Sequence, residues 1–319
     1  MPEENSISKE NMRSFLEHLS TKRTLVAPVD TSYKSIKEFY FPQTELMFTF
    51  ENEEAIDRTE PPGYVIFGAR PCDLEALRVM STVYTTGKYA DPFFQRRFEA
   101  NLLIGVGCKE QKAECFCNEM GIDREFSDFC DIMLFDNGDD YGVEHLSEKG
   151  KQALKGCSVT SEITCDNTRK ASVSDVSGST KLMLDIEKED ADYFDIIDWE
   201  KATKACQGCG ICTYICPTCY CFDFKDVSKK GEASRYKCWD SCMYPKFTLH
   251  ASGHNPRAKR HERYRQRVLH KYKYVPNNFD GAVACTGCGR CIRSCPVGVN
   301  IKSIVKQLSV ESGKLRVES

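Results

Sequence analysis

Along the first half of the chain, short runs of consecutive apolar residues alternate with stretches where apolar side chains recur every three or four positions. Tyr64 to Phe67, Leu102 to Val106 and Ile132 to Phe135 are of the first kind. Each is bounded by glycine or charge, as buried strands are. Thr24 to Ala27 reads as a further strand. Met12, Phe15, Leu16 and Leu19 are of the second kind, and with Ser8 ahead of them they predict a capped amphipathic helix. Residues 1–165 therefore read as an α/β domain.

The pattern then changes. Residues 166–190 open with a polar, serine-rich stretch that has no periodicity, which predicts a linker or surface loop. From Asp192 onward strand signals fade. Phe194, Ile197, Trp199 and Ala202 suit a helix leading into one cysteine run, Lys259 to Tyr272 reads as helical, and Ile301, Ile304, Val305 and Leu308 suit a helix following a second cysteine run. Residues 191–319 are expected to fold as a mainly α-helical, ferredoxin-like domain, with 217–284 inserted between the two runs.

The runs themselves, Cys206-Gln207-Gly208-Cys209-Gly210-Ile211-Cys212-Thr213-Tyr214-Ile215-Cys216-Pro217 and Cys285-Thr286-Gly287-Cys288-Gly289-Arg290-Cys291-Ile292-Arg293-Ser294-Cys295-Pro296, repeat the spacing C-x2-C-x2-C-x3-C-P. In two-cluster ferredoxins the first three cysteines of such a run hold one cubane and the fourth ligates the other. The spacing thus assigns one [4Fe-4S] centre to Cys206, Cys209, Cys212 and Cys295, and a second to Cys285, Cys288, Cys291 and Cys216. Zinc sites and secreted disulfides also use paired cysteines, but neither explains three repeated spacings with a trailing proline.

Composition sharpens this picture. The chain has 319 residues, 41% of them hydrophobic and 29% charged, ordinary values for a soluble protein of about two domains. Its 19 cysteines are not ordinary. An odd count, with no apolar stretch after Met-Pro-Glu-Glu-Asn, argues for reduced thiols and a cytoplasmic location. No window approaches the roughly 18 consecutive apolar residues of a membrane helix, so no direct membrane insertion is expected. A net charge of -3 gives no reason to expect nucleic acid.

A second set of cysteines lies in the α/β half. Cys72 and Cys108 each follow a strand, where α/β sheets commonly present ligands, and Cys115 and Cys117 come shortly after. Together these four could hold a third [4Fe-4S] cluster, with zinc or plain buried thiols as the alternatives. The insertion carries Cys219, Cys221, Cys238 and Cys242, whose C-x-C and C-x3-C spacings suit zinc, a further cluster, or thiols that shield the clusters from water. Cys130, Cys157 and Cys165 lack a pattern and read as structural. From Lys246 to Lys273 nine Lys or Arg stand against one acid, Glu262, which reads as a solvated basic helix or a docking surface for an acidic or redox partner. His250, His254, His261 and His270 have no metal-site spacing.

Arg70-Pro71-Cys72-Asp73-Leu74, Cys115-Phe116-Cys117, Cys216-Pro217-Thr218-Cys219-Tyr220-Cys221-Phe222-Asp223, Trp239-Asp240-Ser241-Cys242, Gly253-His254-Asn255-Pro256-Arg257 and both ferredoxin runs stand in one order. In that order they resemble the electron-transfer family of sulfhydrogenase beta subunits and the A subunits of anaerobic sulfite reductase, over roughly residues 64 to 305. The resemblance implies an electron relay between a flavin subunit using NAD(P)H and a catalytic subunit of hydrogenase or siroheme type. No nucleotide-binding glycine motif, Walker lysine or catalytic carboxylate pair stands out, so no catalytic residue is assigned. The alternative is an iron–sulfur enzyme that reduces a disulfide or thioester at the N-terminal cysteine set.

Overall fold

The computed structural model describes residues 6–27, 35–52, 54–57, 60–155, 157, 182–185, 187–190, 192–229 and 232–313. Cys165 and the serine-rich stretch 166–181 lie outside them. The chain divides into two units interleaved in sequence: Met1–Tyr40, Glu60–Gln111 and Gly121–Gly178 form the first, and Phe41–Thr59, Lys112–Met120 and Ser179–Ser319 the second. Two segments of the N-terminal half thus belong to the cysteine-rich unit.

The first unit is built on a six-stranded sheet of β1 (Ser6–Ser8), β2 (Thr24–Val26), β5 (Tyr64–Ala69), β6 (Leu102–Val106), β7 (Ile132–Asp136) and β8 (Asp140–His145), in the order β1-β8-β7-β6-β5-β2. The middle pairings β2·β5, β5·β6 and β6·β7 are parallel, while β8 and β1 add on antiparallel. The runs read as buried strands are indeed covered on both faces, which is why they show no alternation. On one face Val65, Leu102, Ile104, Ile132 and Leu134 share a core with Phe15, Leu19 and Leu154. On the other, helix Pro71–Thr85 packs so closely that a Cβ on Gly105 would meet the Leu74 side chain at 2.9 Å.

The amphipathic helix runs from Met12 to Leu19 and buries Phe15 and Leu19. Ser8 does not cap it: Ser8 ends β1, and its hydroxyl accepts from the backbone N–H of Asn11, the residue at the cap. Cys130 and Cys157 are buried thiols of this unit, and burial pushes Cys130 up to about 12, as expected of a structural, protonated side chain.

The second unit combines helices with strands that the sequence reading did not expect. It contains a four-stranded antiparallel sheet, β4-β3-β10-β9, of β3 (Thr44–Glu51), β4 (Glu54–Ile56), β9 (Phe222–Lys229) and β10 (Glu232–Trp239). Strand β10 pairs with β3 from far upstream in the chain, and the register sets Lys237 opposite Glu45. Their side chains make a 2.9 Å ion pair that is almost fully buried, so each offsets part of the cost of burying the other. Phe41 stacks on Trp239 at 5.9 Å, and the indole N–H donates to the Phe41 carbonyl at 3.0 Å. Helix Arg260–Leu269 and the His270–Tyr274 turns that continue it lie beside the cysteine loops, and helix Ile301–Glu311 buries Ile301, Ile304, Val305 and Leu308. The expected helix ahead of the first loop is two short ones, Asp192–Asp195 and Trp199–Ala202.

Candidate metal centres

The two cysteine runs fold as copies of one loop. Gly208 and Gly210 have φ of 70° and 79°, and Gly287 and Gly289 have 60° and 71°, so the chain takes the same left-handed steps on both sides of Cys209 and Cys288. Side chains with a Cβ resist that conformation, which is why glycine alternates with cysteine here. Each loop runs into a single helical turn, Ile211–Tyr214 or Arg290–Arg293, carrying Cys212 or Cys291. Backbone N–H groups already point at sulfur: Gly208 donates to Cys206 Sγ at 3.4 Å and Val299 to Cys295 Sγ at 3.3 Å. Such donors favour the thiolate.

The second copy encloses a cavity lined by Cys285, Cys288, Cys291 and, from the other run, Cys216. Cys219 donates to Cys216, which holds Cys216 well below the usual thiol range and Cys219 well above it; the positive charges of Lys271 and Arg267 act on Cys216 in the same direction. Burial raises Cys285, Cys288 and Cys291, and pushes Cys212 up to about 11.

Two cations line the same cavity. Arg267 and Lys271 are each 2% exposed. Lys271 Nζ donates to Thr218 Oγ1 at 2.9 Å and to the Ala284 carbonyl at 3.0 Å, and Arg267 Nη2 donates to the Cys212 carbonyl at 3.2 Å. Cysteine sulfurs are the groups whose negative charge, when they ionise, raises these side chains against burial: Cys212 and Cys291 foremost for Arg267, Cys216, Cys219 and Cys285 for Lys271. If every thiol were protonated, two buried charges would lack compensation, at a cost of several kcal/mol each. Thiolates around a cluster supply the missing negative charge. Arg267 Nε and Nη1 and Thr286 Oγ1 are also buried without a hydrogen-bond partner among the described residues, and all three belong to side chains that line the cavity. These are donors for sulfide or thiolate acceptors, so the residues present fit an iron–sulfur cluster.

They fit a lone ion less well. Among the described residues no group of three or more Cys, His, Asp or Glu is disposed around a single metal ion. In a cubane each thiolate binds a different iron, which spreads the ligands further apart than tetrahedral zinc does.

The 4Fe-4S dicluster domain family matches residues 205–299, a span that begins just before Cys206 and ends beyond Cys295. The C-terminal segment is a 4Fe-4S dicluster domain. A domain of this family indicates [4Fe-4S] clusters. Over nearly its whole length the chain is also similar to sulfhydrogenase 2 subunit beta of Pyrococcus furiosus, with 29% identity over 299 residues, 91% of this chain and 85% of that protein. The resemblance to the sulfhydrogenase beta subunits, carried by the cysteine motifs, therefore holds, as does the reading of an iron–sulfur electron-transfer subunit. No solved structure gives a significant match.

The remaining cysteines divide among three environments. Cys72, second in helix Pro71–Thr85, and Cys108, whose N–H donates to the Arg124 carbonyl at 2.8 Å, belong to the first unit. Cys115 and Cys117 belong to the second, where they flank the Cys288 loop of the dicluster domain: Phe116 N–H donates to the Gly287 carbonyl at 2.7 Å and Cys115 Sγ to the Cys288 carbonyl at 3.4 Å. In the insertion, Cys219 meets Cys216 and Cys221 meets Cys242, while Cys238 sits in β10 opposite Asp223 and Thr44.

The basic stretch is not uniformly solvated. Arg263, Arg267, Lys271 and Lys273 are buried, whereas Lys259 and Arg260 are exposed. Arg263 donates to the carbonyls of Met243, Arg257 and Ala258, tying the insertion to the helix. Sequence reasoning missed the roles of Arg267 and Lys271. Their spacing from Arg263, four residues at a time, was the available signal, since it puts all three on one helix face.

Proposed function

We propose that the chain is a relay subunit of a multi-subunit oxidoreductase, with one [4Fe-4S] cluster on Cys206, Cys209, Cys212 and Cys295 and a second on Cys285, Cys288, Cys291 and Cys216. The observation that carries this reading is Cys216: it comes from the first run yet lines the cavity of the second, as the cross-ligated ferredoxin pattern requires. When bound, the clusters supply one-electron transfer; the chain's residues hold the thiolates, exclude water and set the local charge.

The similar protein is named as the beta subunit of a sulfhydrogenase, so by analogy the partners are a flavin subunit using NAD(P)H and a catalytic subunit of hydrogenase or sulfite reductase type. Among the described residues no helix is long and apolar enough to cross a membrane, and we place the complex in the cytoplasm. Cys219, Cys221, Cys238 and Cys242 are assigned to shielding the dicluster domain.

The relay reading is tested by electron donors. The anaerobically purified chain should be reduced by methyl viologen radical and stay inert to NADH until a flavoprotein is added. Oxidation of NADH by the chain alone would make it an enzyme in its own right.

A further inference from the structure

The two cysteine loops share a backbone but not their surroundings. In the second copy Thr286 is 3% exposed and Arg290 1%, and a Cβ on Gly287 would stand 2.6 Å from the backbone of Phe116 and Cys117. What covers this copy is the stretch from Glu114 to Cys117, held by the backbone hydrogen bond to Gly287 and by a 3.0 Å ion pair from Glu114 to Arg293. At the equivalent positions of the first copy Gln207 is exposed, Ile211 is 38% exposed, and the nearest atom to a Cβ on Gly208 is the Met243 carbonyl at 3.7 Å. Cys209, the counterpart of Cys288, is the one exposed cysteine among the described residues.

The open copy has a basic border. The Arg260 side chain runs beside Gly208, its Cδ 3.8 Å from where a Cβ on that glycine would stand, and its Nη2 donates to the Lys204 carbonyl at 3.3 Å. Lys204, Lys259 and Arg260 are all exposed. Two acids stand among them, Glu200, which is exposed, and Glu262, which accepts from the Lys259 N–H at 2.8 Å, so three cations face two carboxylates. The Tyr244 ring packs on this loop at Gly210 and its hydroxyl donates to the Cys209 carbonyl at 3.5 Å, whereas the Gly208 side, with Ile211 and a positive border, has the anatomy of an interface that charge steers.

We propose that the Cys209 loop is the docking face for an acidic redox protein, which takes beside Gly208 the place that Phe116 and Cys117 take beside Gly287 on the Cys288 copy. The proposal rests on the relay reading and adds where a partner approaches. An electron-exchanging partner gains from contact here because tunnelling falls steeply with distance, and Cys209 is the cluster ligand that reaches the surface. The acidic character follows from Lys204, Lys259 and Arg260, as an acidic stretch would complement them.

The test is binding. An oxidised, acidic bacterial 2[4Fe-4S] ferredoxin serves as probe, titrated calorimetrically against the iron-loaded chain at low and high salt. Wild type should bind more weakly as salt rises, and Lys204→Glu/Arg260→Glu should weaken binding roughly tenfold at low salt, with the gap closing at high salt. Iron content checks that the variant is intact, and Lys204→Gln/Arg260→Gln replaces it if iron is lost. Affinity unchanged in the variants would overturn the proposal. So would a larger loss from Lys225→Glu/Lys229→Glu on the exposed edge strand β9, which would move the docking face there. A wild-type chain that binds no iron sinks the relay reading as well, whereas an iron-loaded chain with salt-independent affinity sinks the docking face alone.

Discussion

Replacing Gly287 by alanine should cost the protein its second cluster and leave the first in place. Alanine at a φ of 60° pays about 1–2 kcal/mol for the left-handed conformation alone. The larger penalty is steric: the new methyl would sit 2.6 Å from backbone atoms of Phe116 and Cys117, none of which is the end of a flexible side chain. Either the loop or the covering stretch has to move, and Gly287 lies between Cys285 and Cys288, two of the proposed ligands. Gly208→Ala is the matched control. Its φ of 70° carries the same conformational cost, but nothing stands closer than 3.7 Å. Iron analysis should therefore find about half the iron in Gly287→Ala and nearly all of it in Gly208→Ala. Equal iron in the two variants would show that the covering stretch does not constrain the loop.

Arg267→Gln should make the clusters harder to reduce. A buried cation favours the more negative, reduced state, so its removal shifts the potential downward. At an effective dielectric constant of about 20, a unit charge a few ångströms away is worth roughly 2–4 kcal/mol, which for one electron is on the order of 100 mV. The pattern is as diagnostic as the size. Arg267 acts on Cys212 and Cys291, one from each proposed ligand set, whereas Lys271 acts on Cys216 and Cys285 of the second. Redox titration followed by EPR should thus find both centres shifted in Arg267→Gln and chiefly the second in Lys271→Gln. Unshifted potentials would mean that water or a partner screens these charges.

The cysteine loops and the parallel strands β5, β6 and β7 were legible because each is written locally, in a fixed spacing or an unbroken apolar run. The sheet of the second unit was not. In β9 the alternation Phe222-Asp223-Phe224-Lys225 dissolves into Asp226 and Lys229, because most of the strand is exposed and neither face needs to be apolar. The partner that makes β10 a central strand is β3, nearly two hundred residues earlier, which no local window contains. Cys115 and Cys117 were grouped with Cys72 and Cys108 because they come shortly after Cys108; their packing against the Cys288 loop is a contact made across a long stretch of sequence, which no local window contains. The basic helix was misjudged for a different reason. Charge in a sequence says solvent unless a countercharge is known, and the countercharge for Arg267 and Lys271 is a set of thiolates whose negative charge appears only when they are gathered around metal.

The most direct test of the central claim is the iron and acid-labile sulfide content of the anaerobically purified chain, with EPR of the reduced form. Two cross-ligated clusters predict about eight irons and eight sulfides per chain, with the spectrum of two interacting centres, and a third centre on the Cys72 set would raise the count to about twelve. A count near four, or a spectrum from one isolated centre, would contradict the pairing of Cys216 with the second loop and Cys295 with the first.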